Sequence, residues 1–167
     1  MKILLLLRHA KSSWDDSTLR DFDRPLAARG NRDAPRMGRV LKERGEVPDF
    51  IMCSPAARAV QTLHAVVAAA GISVKPQFDE AIYGATSAEL MSLVRRIPDS
   101  IHRTLVTGHN PGLEDLLSRL IGRHERMPTA AMACLELVVD SWADIEDGAA
   151  SLKWMLTPKQ LGDEPEG

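Results

Sequence analysis

The sequence predicts an α/β protein, a three-layer sandwich with a largely parallel central sheet covered by helices on both faces and a partly antiparallel C-terminal strand pair at one side. Two observations carry this reading. Short apolar runs, each cut off by turn chemistry, come in sequence with stretches whose apolar residues recur every three or four positions. Strand then helix, repeated, requires right-handed crossovers to parallel neighbours. The last third changes character: Ala133, Leu135, Leu137 and Val139 alternate, as do Leu152, Trp154 and Leu156, with Asp147-Gly148 as a turn signal between them.

The first strand is Lys2 to Leu7, a run too short for a helix and lacking the alternation of a half-exposed strand, so it reads as buried on both faces. Ala27 to Arg44 is helical by composition and stops at Gly45, but Gly30, Pro35 and Gly38 lie inside it, which predicts a kink or a late start. The second strand is Asp49 to Cys53. Val60, Leu63, Val67 and Ala70 form the stripe of a helix behind Ser54-Pro55, a cap followed by a first-turn proline. Ile72 to Lys75 is a weaker strand ending at Pro76. Leu90, Leu93, Val94 and Ile97 make the next helix, opened by a capping box of Thr86 and Glu89. Thr104 to Thr107 is a further strand. Leu113, Leu116, Leu117, Leu120 and Ile121 complete the helices, after Asn110 as N-cap and Pro111 in the first helical position.

The chain of 167 residues has the size of one domain, 44% hydrophobic residues to fill its core and 26% charged residues for its exterior. We read 1–161 as a single domain and 162–167 as a disordered tail. A net charge of -2 without a Lys or Arg run predicts no nucleic-acid partner. The run Ile3 to Leu7 meets Arg8 and His9 too early to span a bilayer and lacks a cleavage site, so the expectation is a cytoplasmic protein without a membrane partner. Cys53 and Cys134 make no disulfide framework, in keeping with a reducing compartment.

Three strands end in chemistry. The first runs into Arg8-His9-Ala10-Lys11-Ser12, the second into Ser54-Pro55-Ala56-Ala57-Arg58, and the Thr104 strand into Gly108-His109-Asn110-Pro111-Gly112. Ligands of open parallel sheets bind outside the carboxyl ends of strands, so these segments can share a crevice. Two guanidinium groups there suit a phosphoryl group, since each can donate paired hydrogen bonds. An arginine in the first turn of a helix, as Arg58 would be, runs against the macrodipole, and such a breach is expected at a functional site. Histidine among cations is biased toward the neutral imidazole, which leaves a ring nitrogen free to attack phosphorus. His9, directly after a buried strand, is the better candidate nucleophile, and His109 can donate to the phosphoryl oxygens.

These residues resemble the histidine phosphatase superfamily, also called phosphoglycerate mutase-like. The resemblance lies in Arg8-His9, in Arg24-Pro25-Leu26-Ala27-Ala28-Arg29-Gly30, in Ser54 to Thr62 and in Gly108-His109, and covers nearly the whole chain. It implies that His9 is the phosphorylated nucleophile, that Arg8, His9, Arg58 and His109 form the phosphate pocket, and that no metal or other cofactor is needed. It also implies a carboxylate that protonates the leaving oxygen; Glu80 occupies the matching region and Asp79 is the fallback. Only 50 residues separate Arg58 from His109, too few for the helical cap that larger relatives carry. That economy resembles the small SixA branch, whose substrates are phosphohistidines on signalling proteins.

The sequence departs from the family pattern at Ala10, where a glycine is common, at Lys11, where many mutases carry an acid, and at Asp15, where mutases tend to have a phosphate-binding asparagine. An aspartate would repel phosphate, so Asp15 is expected to point elsewhere. Asp15, Asp16, Asp21 and Asp23 read as a solvated acidic loop, with selection of basic partners as the second reading. Ser12, Ser13 and Trp14 line a pocket mouth or form a loop fixed by a partly buried tryptophan. His64 reads as half-buried, His102 and His124 as surface residues, and none of the five histidines has zinc-ligand spacing.

The expected activity is metal-independent dephosphorylation of phosphohistidine on signalling proteins through a phosphohistidine intermediate on His9, with a phosphorylated protein or a small phosphorylated molecule as the partner. A small-molecule phosphomonoesterase, a mutase of the same superfamily and a non-catalytic phosphate-binding module are the alternatives. A cysteine phosphatase is disfavoured, because four residues rather than five separate Cys53 from Arg58 and Cys53 lies inside an apolar run.

Overall fold

The computed structural model describes residues 1–162; the rest of the tail assigned to 162–167 lies outside the described residues. Six strands form one sheet: β1 (Lys2–Arg8), β2 (Phe50–Cys53), β3 (Gln77–Phe78), β4 (Arg103–Gly108), β5 (Met132–Leu137) and β6 (Ala150–Leu156), in the spatial order β3-β2-β4-β1-β5-β6. The pairs β3-β2, β2-β4 and β4-β1 are parallel, and β1-β5 and β5-β6 antiparallel. The predicted sandwich and its C-terminal strand pair are therefore present.

Leu4 and Leu6 face one layer and Leu5 and Leu7 the other, all four fully buried, so both pleat faces of β1 carry core. The first layer is α3 (Ser87–Arg95) and α4 (Gly112–Ile121), packed through Leu90, Val94, Leu113 and Leu117. The second is α1 (Ala28–Arg44) and α2 (Ala57–Ala70), packed through Met37, Leu41, Leu63 and Val66. The capping box of α3 is formed by Thr86 and Glu89.

Four local expectations are corrected. Helix α1 starts at Ala28 and continues through Pro35 without a break. Its glycines mark close approaches instead: a Cβ on Gly30 would lie 2.2 Å from the Lys11 carbonyl oxygen, and one on Gly38 2.5 Å from that of Val66. Helix α2 begins after Ala56, because the Ser54 hydroxyl caps an earlier turn by accepting from the Ala56 N–H at 3.2 Å. Pro111 precedes α4 rather than opening it, after a cis Asn110-Pro111 bond, while Asn110 Oδ1 accepts from the Glu114 N–H. Ile72 to Lys75 is not a strand. The Ile72 N–H donates to Val67 O and closes the end of α2, and pairing with β2 begins only at Gln77.

Candidate active site

Strand register puts the two histidines side by side. Arg8 of β1 is paired with Gly108 of β4, so His9 and His109 each follow directly, and the His9 N–H donates to Gly108 O at 3.1 Å. Their ring centroids are 5.2 Å apart. Cys53 is paired with Thr107, and the Ser54 N–H donates to Thr107 O, which carries the end of β2 and then α2, with Arg58 in its first turn, to the same edge.

His9 is 7% exposed, and its Nδ1 lies 2.7 Å from the Ala10 carbonyl oxygen. A carbonyl only accepts, so Nδ1 carries the proton and the lone pair of the neutral ring sits on Nε2. Burial, joined by the charges of Arg58, Arg8 and Arg24, pushes the His9 pKa down to about 4. His109 is pushed down to about 3, first by burial and then by His9 and Arg58. Both rings are therefore neutral at pH 7. The His109 Nε2 is 2.7 Å from Ser54 Oγ, which takes the Ala56 N–H on one of its two lone pairs and has its own proton to donate. With the serine hydroxyl donating to Nε2, the His109 proton resides on Nδ1, a buried atom with no partner in the protein.

Arg8 donates through Nη1 to Met127 O at 3.1 Å, and its buried Nε is without a protein partner. A buried donor left unpaired costs about 1–3 kcal/mol. Arg8 Nε and His109 Nδ1 thus fit an acceptor such as a phosphoryl oxygen. Arg58, 7% exposed, donates from Nη1 to the backbone oxygen of Asp21 at 2.7 Å and from Nη2 to Asp21 Oδ2 at 3.0 Å.

The four residues Arg8, His9, Arg58 and His109 are brought together. Glu80 stands apart, exposed at the start of the 3-10 turn Glu80–Ile82, with no hydrogen bond to the cluster, while Asp79 caps that turn by accepting from the Ala81 N–H. Three further side chains adjoin this cluster. Asp21, in the 3-10 turn Asp21–Asp23, meets Arg58; Tyr83 donates to Asp21 Oδ2 at 2.7 Å and lies edge-on to His109; Arg24, buried, donates to Ser12 Oγ and acts on His9 by its charge. Asp21 overturns the reading of the acidic stretch as only a solvated loop, because one of its members crosses to an arginine 37 positions away. Its neighbours do stay on the surface: Asp15 and Asp16 are exposed, and Asp23 pairs with Arg20 at 2.9 Å. Arg24 already stood in the quoted Arg24 to Gly30 motif, whereas nothing in the spacing of Asp21 or Tyr83 pointed to Arg58.

Trp14 is not partly buried but 71% exposed, with the Arg24 guanidinium stacked 3.3 Å from its ring centre. His64 is exposed rather than half-buried. Cys53 is buried in β2, and burial pushes its thiol up to about 12, which keeps it from serving as a thiolate nucleophile. A groove of about 850 Å³ lies away from these residues between α1 and the segment Thr157–Gly162, lined by Arg29, Arg32 and Lys159 among others. Among the described residues no group of three or more His, Cys, Asp or Glu is arranged to hold a metal ion, and no helix is long and apolar enough to cross a membrane.

Comparison with known proteins matches residues 4–131 to the histidine phosphatase superfamily (branch 1). An uncharacterized protein of Mycobacterium tuberculosis (strain H37Rv) is 35% identical over 164 residues, covering 92% of this chain and 100% of that one. Two solved structures assigned as phosphohistidine phosphatase SixA are similar throughout. The one from Nakamurella multipartitia has a TM-score of 0.83 at 28% identity, covering 94% of this chain and 96% of that one. The one from Agrobacterium tumefaciens has a TM-score of 0.82 at 29% identity, covering 94% and 98%.

Proposed function

Because the chain belongs to the histidine phosphatase superfamily, and is a phosphatase, we propose that it works without a metal through a phosphohistidine intermediate on His9, with phosphohistidine on proteins as its substrate. The observation that carries the mechanism is the His9 ring itself: Nδ1 is committed to Ala10 O at 2.7 Å and the pKa is held near 4, so Nε2 offers its lone pair at neutral pH.

In the first step Nε2 attacks phosphorus in line, the bond from phosphorus to the leaving atom breaks, and its electron pair stays with the leaving group, which takes up a proton. In the second, water attacks the phosphorus on His9, gives up a proton, and inorganic phosphate departs as the imidazole is restored. Arg8 and Arg58 bear the equatorial oxygens, and the Nδ1–H of His109 donates to them as charge redistributes. Glu80 is the proposed donor to an oxygen leaving group. An imidazole leaving group needs less protonation than an alkoxide, so this donor matters less for phosphohistidine.

Two features support the substrate. The SixA assignment of the two structural relatives names it for them, and between Arg58 and His109 the chain is taken up by α2, β3, the Glu80 turn, α3 and β4, which suits a bulky protein ligand. The test is phosphate release from a phosphohistidine protein and from an aryl phosphate, with chelator present. We expect chelator-resistant release that favours the protein and falls at least 1,000-fold in His9→Ala, the order typical of losing a covalent nucleophile. Undiminished release by His9→Ala would refute the mechanism, and a preference for the aryl ester the substrate.

A further inference from the structure

A phosphatase that binds phosphoryl groups through buried arginines faces a difficulty at the end of each turnover, because its product, inorganic phosphate, fits the same groups. A carboxylate placed among those arginines bears on that step. Asp21 takes one hydrogen bond from each Nη of Arg58, at 2.7 Å to its backbone oxygen and 3.0 Å to Oδ2. Its other oxygen, Oδ1, lies 3.4 Å from Arg24 Nη1, and Tyr83 donates to Oδ2 at 2.7 Å. The turn that carries it is fixed by the Asp23 N–H on Arg20 O and the Arg24 N–H on Asp21 O.

These contacts resemble those that phosphoryl oxygens make with guanidinium groups. The hydrogen bond from Tyr83, followed by that from Arg58, holds the carboxyl below the usual carboxylate range, so it is ionised at neutral pH. Three arginines, Arg8, Arg24 and Arg58, act on His9 from this pocket. One fixed negative charge in contact with two of them lowers the attraction felt by a phosphate carrying about -1.5 to -2. The Asp21 side chain is 51% exposed, so solvent screens the repulsion and the effect is moderate.

We propose that Asp21 is a resident anion on Arg58 and Arg24 that weakens the pocket's hold on inorganic phosphate and thereby promotes product release. This rests on the phosphatase reading. It also assigns a role to the one acid of the 15–23 stretch that reaches the site. A transferase that must keep its phosphoryl group has no use for such a charge; an enzyme that must discard phosphate every cycle does.

The test is the dissociation constant of inorganic phosphate, by calorimetry, for wild type, Asp21→Asn, Asp21→Ser and Asp23→Asn, with thermal unfolding recorded for each. Asp21→Asn and Asp21→Ser should bind phosphate about tenfold more tightly, which corresponds to about 1.4 kcal/mol. With an aryl phosphate, product inhibition should set in at correspondingly lower phosphate. Asp23→Asn removes the same charge two residues away, where the carboxylate pairs with Arg20 on the surface, and should change phosphate affinity less than twofold.

Unchanged or weaker binding in the Asp21 variants would overturn the proposal, leaving Asp21 as a brace for Arg58. Equal tightening in Asp23→Asn would also overturn it, by assigning the effect to the loop's general field. Two substitutions of different size are compared so that misfolding of one leaves the other informative. Binding is read without turnover, so loss of the phosphatase reading would show separately, as a wild-type enzyme that binds phosphate but releases none from either substrate.

Discussion

His9 illustrates how a single side chain is prepared by its surroundings. An ordinary histidine titrates near 6.5 and would be partly protonated, and so partly blocked, near neutral pH. Burial and three nearby guanidinium groups remove that loss by making the charged ring unfavourable. The sign has a cost for stability. Since the folded pKa lies below the unfolded one, the unfolded chain binds more protons between pH 6.5 and pH 4, and stability falls as pH falls through that window, by roughly 3 kcal/mol for His9. A ring-proton NMR titration should place half-protonation of His9 near pH 4, and a midpoint near 6.5 would contradict this account of the site.

At this scale the sequence was informative where residues act in their own strand ends. Arg8, His9, Arg58 and His109 could be named because three strands each terminate in unusual chemistry. Asp21 and Tyr83 could not be, because their partnership with Arg58 depends on how a turn and a loop fold back over the sheet edge, and neither position breaks a local rule. Glu80 shows the reverse: a residue placed by family resemblance stands exposed, with its neighbour Asp79 fixing the turn.

At the scale of elements, α1 decides how the His9 loop is held. Gly30 allows the helix to approach the backbone of Lys11, whose carbonyl also accepts from the Ala27 N–H at 2.8 Å. In an exposed helix interior, glycine to alanine stabilises by roughly 0.5–1 kcal/mol. Here the sign reverses, because the new Cβ would stand 2.2 Å from a backbone oxygen that cannot turn aside. Gly30→Ala should lose about 1–3 kcal/mol in chemical denaturation, the range for forcing an extra methyl into a packed site. A stabilised variant would contradict the packing described.

The glycines of α1 show why its course was hard to read. From sequence they look like breaks, since propensity counts them against a helix; in the fold they are points of contact with the Lys11 loop and α2, and the packing outweighs the propensity. The starts of α2 and α4 were misplaced by a similar cause. Ser54 does accept a backbone N–H, as a cap should, but in a turn that precedes α2, whereas Asn110 accepts the Glu114 N–H inside α4 while Pro111 stays outside the helix. Strand β3 was misplaced because Ile72 has the composition of a strand while its N–H is spent on closing α2.

For the whole molecule, the order β3-β2-β4-β1-β5-β6 places β1 and β4 side by side in parallel, and their carboxyl ends supply His9 and His109. Antiparallel β5 closes the other side of β1, and the Ala130 N–H just before it donates to His9 O at 3.0 Å, so the His9 backbone is held from both sides of β1. Alternating helix and strand patterns made this architecture legible, because right-handed crossovers leave few arrangements for such a chain. The strand order within the sheet was not legible, since it is set by which buried runs pair, and those runs are alike in composition.

The central proposal is that the phosphoryl group passes through His9. The most direct test is to mix enzyme with excess phosphorylated substrate, quench in alkali within milliseconds, digest, and locate covalent phosphate by mass spectrometry. The account predicts an alkali-stable, acid-labile phosphate on the peptide carrying His9, formed before product release and missing from His9→Ala. Phosphate trapped on any other residue, or steady turnover by His9→Ala, would contradict it.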